Sequence, residues 1–288
     1  MPARVTSSLT RVVMATAALL ASVVLGATPA AAVADGALVS LGQYPFAVRL
    51  TMTHIPRPDG TFYNSACSAA LISPTWIITA GHCFHDINRV PVSGPVPYAT
   101  TATLNTVAAD QRGRPDHWFD LVDLLSPAPG ENRDVTDVQQ AGTTDIALAR
   151  LSAPVTNVTP LALSDTAPTT AGDLLPIAGW GATSSIIPTP STRLSIGQVK
   201  IQTVNATTIS VVGSYPAADT SACLYDSGAP YFTTPVGAAP QLVSTESTGP
   251  DCPHTSAETT ARVDTITTWI KTIVPDLGVE EDPCSRWR

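Results

Sequence analysis

The chain has 288 residues, 23 of them acidic and 15 basic, for a net charge of −8, and its only lysines are Lys200 and Lys271. That balance argues against nucleic acid or an anionic membrane surface as a partner. A charged fraction of 13% beside 44% hydrophobic residues and 26 prolines excludes a disordered chain and fits a loop-rich β protein.

The N-terminal segment carries Arg4 and Arg11, then an apolar run from residue 12 to 26, then Ala30, Ala31 and Ala32. A basic start, a short apolar run and a small-residue site read as a secretory signal peptide cut after Ala32, and the run falls short of the roughly 18–20 residues a bilayer span needs. Residues 1–32 contain no acid, so their removal leaves a still more acidic remainder. The expectation is a secreted, extracellular protein with no membrane attachment after cleavage.

Beyond Ala32, short β-branched or apolar runs recur at 46–53, 69–72, 76–79, 146–151, 174–178, 198–203, 208–212 and 240–244, each bounded by turn residues. They predict an all-β sandwich or barrel. Residues 91–141 have mixed composition and no clear period, and read as a loop-like insertion. One helix is predicted, where Val263, Ile266, Ile270 and Ile273 recur at helical spacing before Pro275; residues 275–288 form a tail.

Three segments carry chemistry. Residues 68–83 place two apolar strands ahead of Thr79-Ala80-Gly81-His82-Cys83; residues 144–151 open with Thr144-Asp145-Ile146-Ala147-Leu148; residues 223–230 read Cys223-Leu224-Tyr225-Asp226-Ser227-Gly228-Ala229-Pro230. Hydrolysis of a peptide bond at neutral pH needs a hydroxyl, a base to take its proton and a carboxylate to hold that base in one tautomer. Taken singly, Asp145 also reads as a solvated strand-initial acid and Ser227 as part of a chance Asp-Ser-Gly turn. Together the segments resemble the Thr-Ala-Ala-His-Cys, Asp-Ile-Ala-Leu and Gly-Asp-Ser-Gly-Gly-Pro motifs of the chymotrypsin/trypsin family of serine proteases, in that family's His, Asp, Ser order. Ala178-Gly179-Trp180-Gly181 resembles the family's Gly-Trp-Gly segment, and Arg262-Val263 leading to Trp269-Ile270 its terminal helix, so the resemblance spans about residues 33–274.

The resemblance implies two six-stranded antiparallel β-barrels with a C-terminal α-helix and a site in the cleft between them. It makes His82 the general base, Asp145 its partner and Ser227 the nucleophile, with the backbone N–H groups of Tyr225 and Ser227 as the oxyanion hole. It pairs Cys67 with Cys83 and Cys223 with Cys252. Cys284 is then left over, either as a free or capped thiol or bound to another chain. Val33-Ala34-Asp35-Gly36 followed by Gln43-Tyr44-Pro45-Phe46 resembles the family's mature start, so cleavage after Ala32 would free a Val33 amine to pair with Asp226. Asp35 replaces a Gly or Asn there, and aspartate tolerates a left-handed backbone better than most residues.

Other positions depart from the family. Gly81 replaces Ala, Tyr225 replaces Gly, and Ala229 replaces Gly. For the specificity pocket the resemblance puts Ser221 at the base, Ser244-Thr245-Glu246 where Ser-Trp-Gly is usual, and Glu258 near a usual Gly; a carboxylate there would either accept a basic substrate residue or fill the space. The resulting expectation is a monomeric serine endopeptidase acting on protein or peptide substrates, with no metal and no cofactor. The alternative, motivated by Tyr225 and Glu246, is a catalytically weakened or inactive homologue acting as a secreted binding protein. A hydrolase on another fold is disfavoured because Ser227 lacks a Gly-x-Ser-x-Gly setting. His54, His85, His117 and His254 are given no role, and the sequons at Asn157 and Asn205 matter only in a glycosylating host.

Overall fold

The computed structural model describes residues 32–107, 130–166 and 171–277. Two closed antiparallel barrels account for most of them. In the first, β2 (Ala47–Pro56), β3 (Phe62–Ser73), β4 (Trp76–Thr79), β6 (Ala99–Leu104), β7 (Glu131–Gln140) and β8 (Ala147–Leu151) follow the order β7-β6-β2-β3-β4-β8, and β7 pairs with β8 to close the ring. The short β5 (Gly94–Pro95) extends it beyond β7.

The second barrel is built from β10 (Leu174–Gly179), β11 (Ser195–Val204), β12 (Thr208–Tyr215), β13 (Pro230–Thr233), β14 (Gln241–Thr248) and β15 (Glu258–Arg262). Their order is β11-β10-β13-β14-β15-β12, and β11 pairs with β12 to close it. β1 (Ala37–Leu38) pairs with β11, and β9 (Ala162–Leu163) runs parallel to β14. The C-terminal helix α1 (Thr267–Ile273) follows a 3-10 turn at Asp264–Ile266, so the apolar run beginning at Val263 enters the helix later than its spacing predicts.

Each predicted strand overlaps an observed one, the largest difference being β3, which begins at Phe62, well before the predicted run 69–72. The interval 91–141 is a correction: it holds β5, β6 and β7 rather than a plain loop. In β7 the inward positions Val135 and Val138 are the only apolar residues among Glu131–Gln140, and β6 is mostly Thr and Ala. Neither strand shows the strong alternation by which a half-buried strand is recognised.

The barrels meet along an apolar seam. Phe46 at the entrance to β2 packs edge-on against Phe232 of β13, ring centres 5.3 Å apart, and Tyr44 lies 5.5 Å from the same ring. All four residues of β4 are buried. The Ser68 N–H donates to the Ser227 carbonyl at 2.9 Å, joining the first barrel to the loop before β13. The termini of β4, β8 and β14 thereby converge beside that loop.

Candidate active site

His82 sits in a 3-10 turn, Gly81–Cys83, directly after β4. A disulfide from Cys83 to Cys67 on β3 ties the turn to the barrel. Asp145 immediately precedes the buried Ile146 and β8. Its Oδ1 accepts the His82 backbone N–H at 2.9 Å, and its Oδ2 faces His82 Nδ1 at 2.8 Å. Burial pulls the Asp145 pKa up, but hydrogen bonds and charge from His82 with a further bond from Ser247 pull harder, leaving it below the usual range. An ionised carboxylate only accepts hydrogen bonds, so Nδ1 carries the proton and Nε2 is left with a lone pair. Nε2 lies 2.7 Å from Ser227 Oγ. The arrangement can therefore move the Ser227 proton onto the imidazole while Asp145 stabilises the cation that results.

Gly81 has a local reason. A Cβ there would stand 2.6 Å from Gln140 Oε1 and 3.1 Å from Asp145 Oδ1. Gln140 uses its amide N–H groups on the carbonyls of Gly81 at 3.0 Å, Val92 at 3.3 Å and Phe84 at 3.4 Å, so one side chain from β7 fastens both ends of the histidine loop.

The Ser227 loop is held from several sides. Gly228 has φ 81°, and a Cβ on it would lie 2.1 Å from Thr79 Oγ1 and 2.4 Å from the Ser68 carbonyl, so only glycine fits after the serine. Tyr225 also adopts a positive φ, 75°, the left-handed geometry for which glycine is better suited. The Leu224 carbonyl accepts from the Ala182 N–H at 2.7 Å, and the Tyr225 carbonyl accepts from Ser68 Oγ at 3.2 Å. In a trans peptide the N–H opposes the carbonyl, so the Tyr225 N–H faces away from Ala182. Neither the Tyr225 nor the Ser227 N–H donates to another described residue.

Asp226 is fully buried. Its Oδ1 accepts from the Gly181 N–H at 2.7 Å and its Oδ2 from the Cys223 N–H at 3.0 Å, with a further backbone bond from Val33. A Cβ on Gly179 would meet Oδ1 at 2.0 Å and one on Gly181 would meet Oδ2 at 2.2 Å. The two glycines flanking Trp180 thus make the space the carboxylate occupies. Burial lifts this group to about 7, the Gly181, Cys223 and Val33 bonds opposing and the Glu258 charge assisting. Val33 is itself buried, and Asp35 adopts φ 54° in the turn that leads away from it.

A cleft of about 460 Å³ contains His82, Tyr225 and Ser227. One wall is Ala222, Cys223 and Leu224, the facing wall Glu246 to Asp251, and the disulfide Cys223–Cys252 joins the two segments. The expected register of the second wall needs correction. Ser244 is fully buried and accepts from Thr260 Oγ1 at 2.8 Å, whereas Ser247, three residues later, lines the cleft and donates to Asp145 Oδ2 at 2.6 Å. The segment reads Ser-Thr at 244–245 and again at 247–248, and Ser247-Thr248-Gly249 is the copy that edges the cleft.

Ser221 and Glu258 lie outside the cleft lining as well. The Ser221 hydroxyl accepts from the His254 N–H at 3.2 Å. Glu258 accepts the Ala222 N–H at 3.0 Å from beneath the wall. Tyr231, which carries no signal beyond that of a core aromatic in the sequence, places its hydroxyl 2.8 Å from both Glu246 Oε2 and Glu258 Oε1. Burial drives both acids up, Glu258 to about 7 and Glu246 well above its ordinary value, with their mutual repulsion adding to the Glu246 shift. One phenolic proton cannot serve two carboxylates, so near neutrality the trio holds an additional carboxyl proton. Cys284 lies outside the described residues, as do residues 1–31 of the expected signal peptide. Among the described residues no group of His, Cys, Asp and Glu could hold a metal ion, and no helix is long and apolar enough to cross a membrane.

A family model described as Trypsin matches residues 34–270. No curated protein matches the chain.

Proposed function

This chain belongs to the trypsin family, and on that footing we propose that it is a secreted, monomeric serine endopeptidase that cleaves proteins or peptides through an acyl-enzyme on Ser227. The supporting observation is the continuous chain Asp145–His82–Ser227, with contacts of 2.8 and 2.7 Å. Ser227 Oγ attacks the scissile carbonyl as its proton passes to Nε2; the tetrahedral oxyanion is received by the N–H groups of Tyr225 and Ser227. His82 then returns the proton to the departing amine. Water, deprotonated by the same imidazole, releases the acyl half.

The reading as a weakened binding protein rests on Tyr225 and Glu246. Against it, Tyr225 takes a positive φ and its N–H faces away from Ala182, as an oxyanion donor requires, and the Glu246 carboxylate is engaged by Tyr231 rather than loose in the cleft. Activation follows from signal cleavage after Ala32: the new Val33 amine takes over the contact its backbone nitrogen already makes with Asp226 and gives that buried carboxylate a counter-charge.

Purified secreted protein is expected to take a fluorophosphonate label and degrade casein, with both signals absent in Ser227→Ala. Labelling without proteolysis would indicate a live nucleophile behind a blocked cleft, and the absence of both would favour the binding protein. N-terminal sequencing of active protein should read Val33 first; full activity in a chain beginning at Ala34 or later would refute the activation step.

A further inference from the structure

The cleft is electrically lopsided. At the end bounded by Ala222 to Leu224 and Ser247 to Asp251 its exposed lining charge is Asp251, Glu246 being buried against Tyr231, while beyond the Cys67–Cys83 bridge it is lined by Ser65, Ala66, His85 and Arg89. In a chain with a net charge of −8 a cation at this edge is conspicuous, and it is held in place.

Tyr63 organises this second end. The guanidinium carbons of Arg57 and Arg89 lie 4.8 and 5.2 Å from the centre of its ring. The His85 ring is stacked with Tyr63 and buried. His85 Nδ1 lies 2.8 Å from the Asp86 carbonyl and therefore carries the proton, which leaves Nε2 to accept from the Tyr63 hydroxyl at 3.1 Å and from Arg89 Nη1 at 3.3 Å. The His85 N–H donates to Tyr98 at 3.2 Å. Arg89 thus spends one donor on a buried imidazole and keeps its other N–H groups exposed. Its neighbour Asp86 is occupied, Oδ1 accepting the N–H groups of Asn88 and Val90 at 2.8 and 2.9 Å. Arg57 donates to Thr61 Oγ1 and the Phe62 carbonyl. Neither arginine has an ion-pair partner among the described residues.

We propose that Arg89, braced by Tyr63 and His85 and reinforced by Arg57, forms a subsite for an acidic side chain within the first three residues after the scissile bond. The inference rests on the endopeptidase reading: the specificity walls hold the half of the substrate that acylates Ser227, so the half that departs lies across Cys67–Cys83, against His85 and Arg89. A forked guanidinium with free N–H groups suits a carboxylate, and the ends of opposite sign orient a peptide along the cleft.

The test uses the purified secreted enzyme and internally quenched peptide pairs that differ only by Glu or Gln at one of the first three positions after the scissile bond. At low salt the Glu peptide of one pair is expected to show about three- to tenfold higher kcat/KM, shrinking towards unity at high ionic strength. That ratio should fall to about one in Arg89→Gln and below one in Arg89→Glu. A wild-type ratio of one at all three positions, with the Gln peptides cleaved, would overturn the subsite and leave the endopeptidase intact, as would a Glu preference that survives both substitutions. No cleavage of any peptide together with no fluorophosphonate labelling would overturn both.

Discussion

The Ser247 hydroxyl donates to Asp145 Oδ2 at 2.6 Å, the same oxygen that faces His82 Nδ1 at 2.8 Å. The second barrel therefore supplies a ligand to a carboxylate that belongs to the first, and the orientation of the imidazole depends on how the barrels dock. A hydrogen bond to a charged acceptor is worth about 1.5–3 kcal/mol. Ser247→Ala should lower kcat about tenfold or more and move the acidic limb of the pH–rate profile upward, because Asp145 loses one of the bonds that holds its pKa down. Ser244→Ala should read out as lost thermal stability, since its hydroxyl accepts from Thr260 inside the barrel. Equal kinetic losses in the two variants would contradict the revised register.

Gly181→Ala places a methyl group 2.2 Å from Asp226 Oδ2. The carboxylate must move, and its bonds to the Gly181 and Cys223 N–H groups go with it. Overpacking of this kind costs about 1–3 kcal/mol, and the loop bearing Ser227 shifts, so fluorophosphonate labelling should slow along with the drop in Tm. A variant that melts lower yet labels at the wild-type rate would show that Asp226 does not position the serine.

Glu258 is raised from its ordinary value to about 7 by burial. The folded protein therefore keeps a proton that the unfolded chain has lost between about pH 4.5 and 7. Stability contributed by this group should fall as pH rises through that window and level off above it, by on the order of 3 kcal/mol. Thermal melts in a Ser227→Ala background, which prevents self-digestion, should show Tm declining from pH 5 to pH 8, and Glu258→Gln should flatten the decline. Parallel curves would mean the charge is accommodated elsewhere.

Tyr225 holds φ 75° in a position where a side chain is strained. Replacement by Gly relieves about 1 kcal/mol of strain and gives back about 0.5–1 kcal/mol in chain entropy, so Tm should barely change. Because Tyr225 lines the cleft, Tyr225→Gly should raise kcat/KM on casein. A tenfold loss would instead make the ring a substrate contact.

The site was legible where its chemistry lies in contiguous strings. His82 follows β4 and Asp145 precedes β8, so local pattern and chemistry point the same way at both, while Ser227 lies among turn residues ahead of β13 and stands out by its Cys223-Leu224-Tyr225-Asp226-Ser227-Gly228 string alone. The specificity wall was not, because Ser-Thr occurs at 244–245 and again at 247–248, and only pairing with Thr260 or Asp145 tells the copies apart. The strands β6 and β7 were hidden by Thr, Asn and Gln on their outer faces. Tyr231 and Gln140 gave no signal, since the value of a phenol or an amide lies in partners up to 59 positions away.

Gln140 and Gly81 occupy one volume between them, the amide oxygen sitting 2.6 Å from where a methyl group would be. Changing either residue alone leaves a collision or an empty slot with three abandoned carbonyls, so the two sites are coupled in any redesign. A combinatorial library that randomises only position 81 will look intolerant, while one that shortens residue 140 at the same time should recover alanine there.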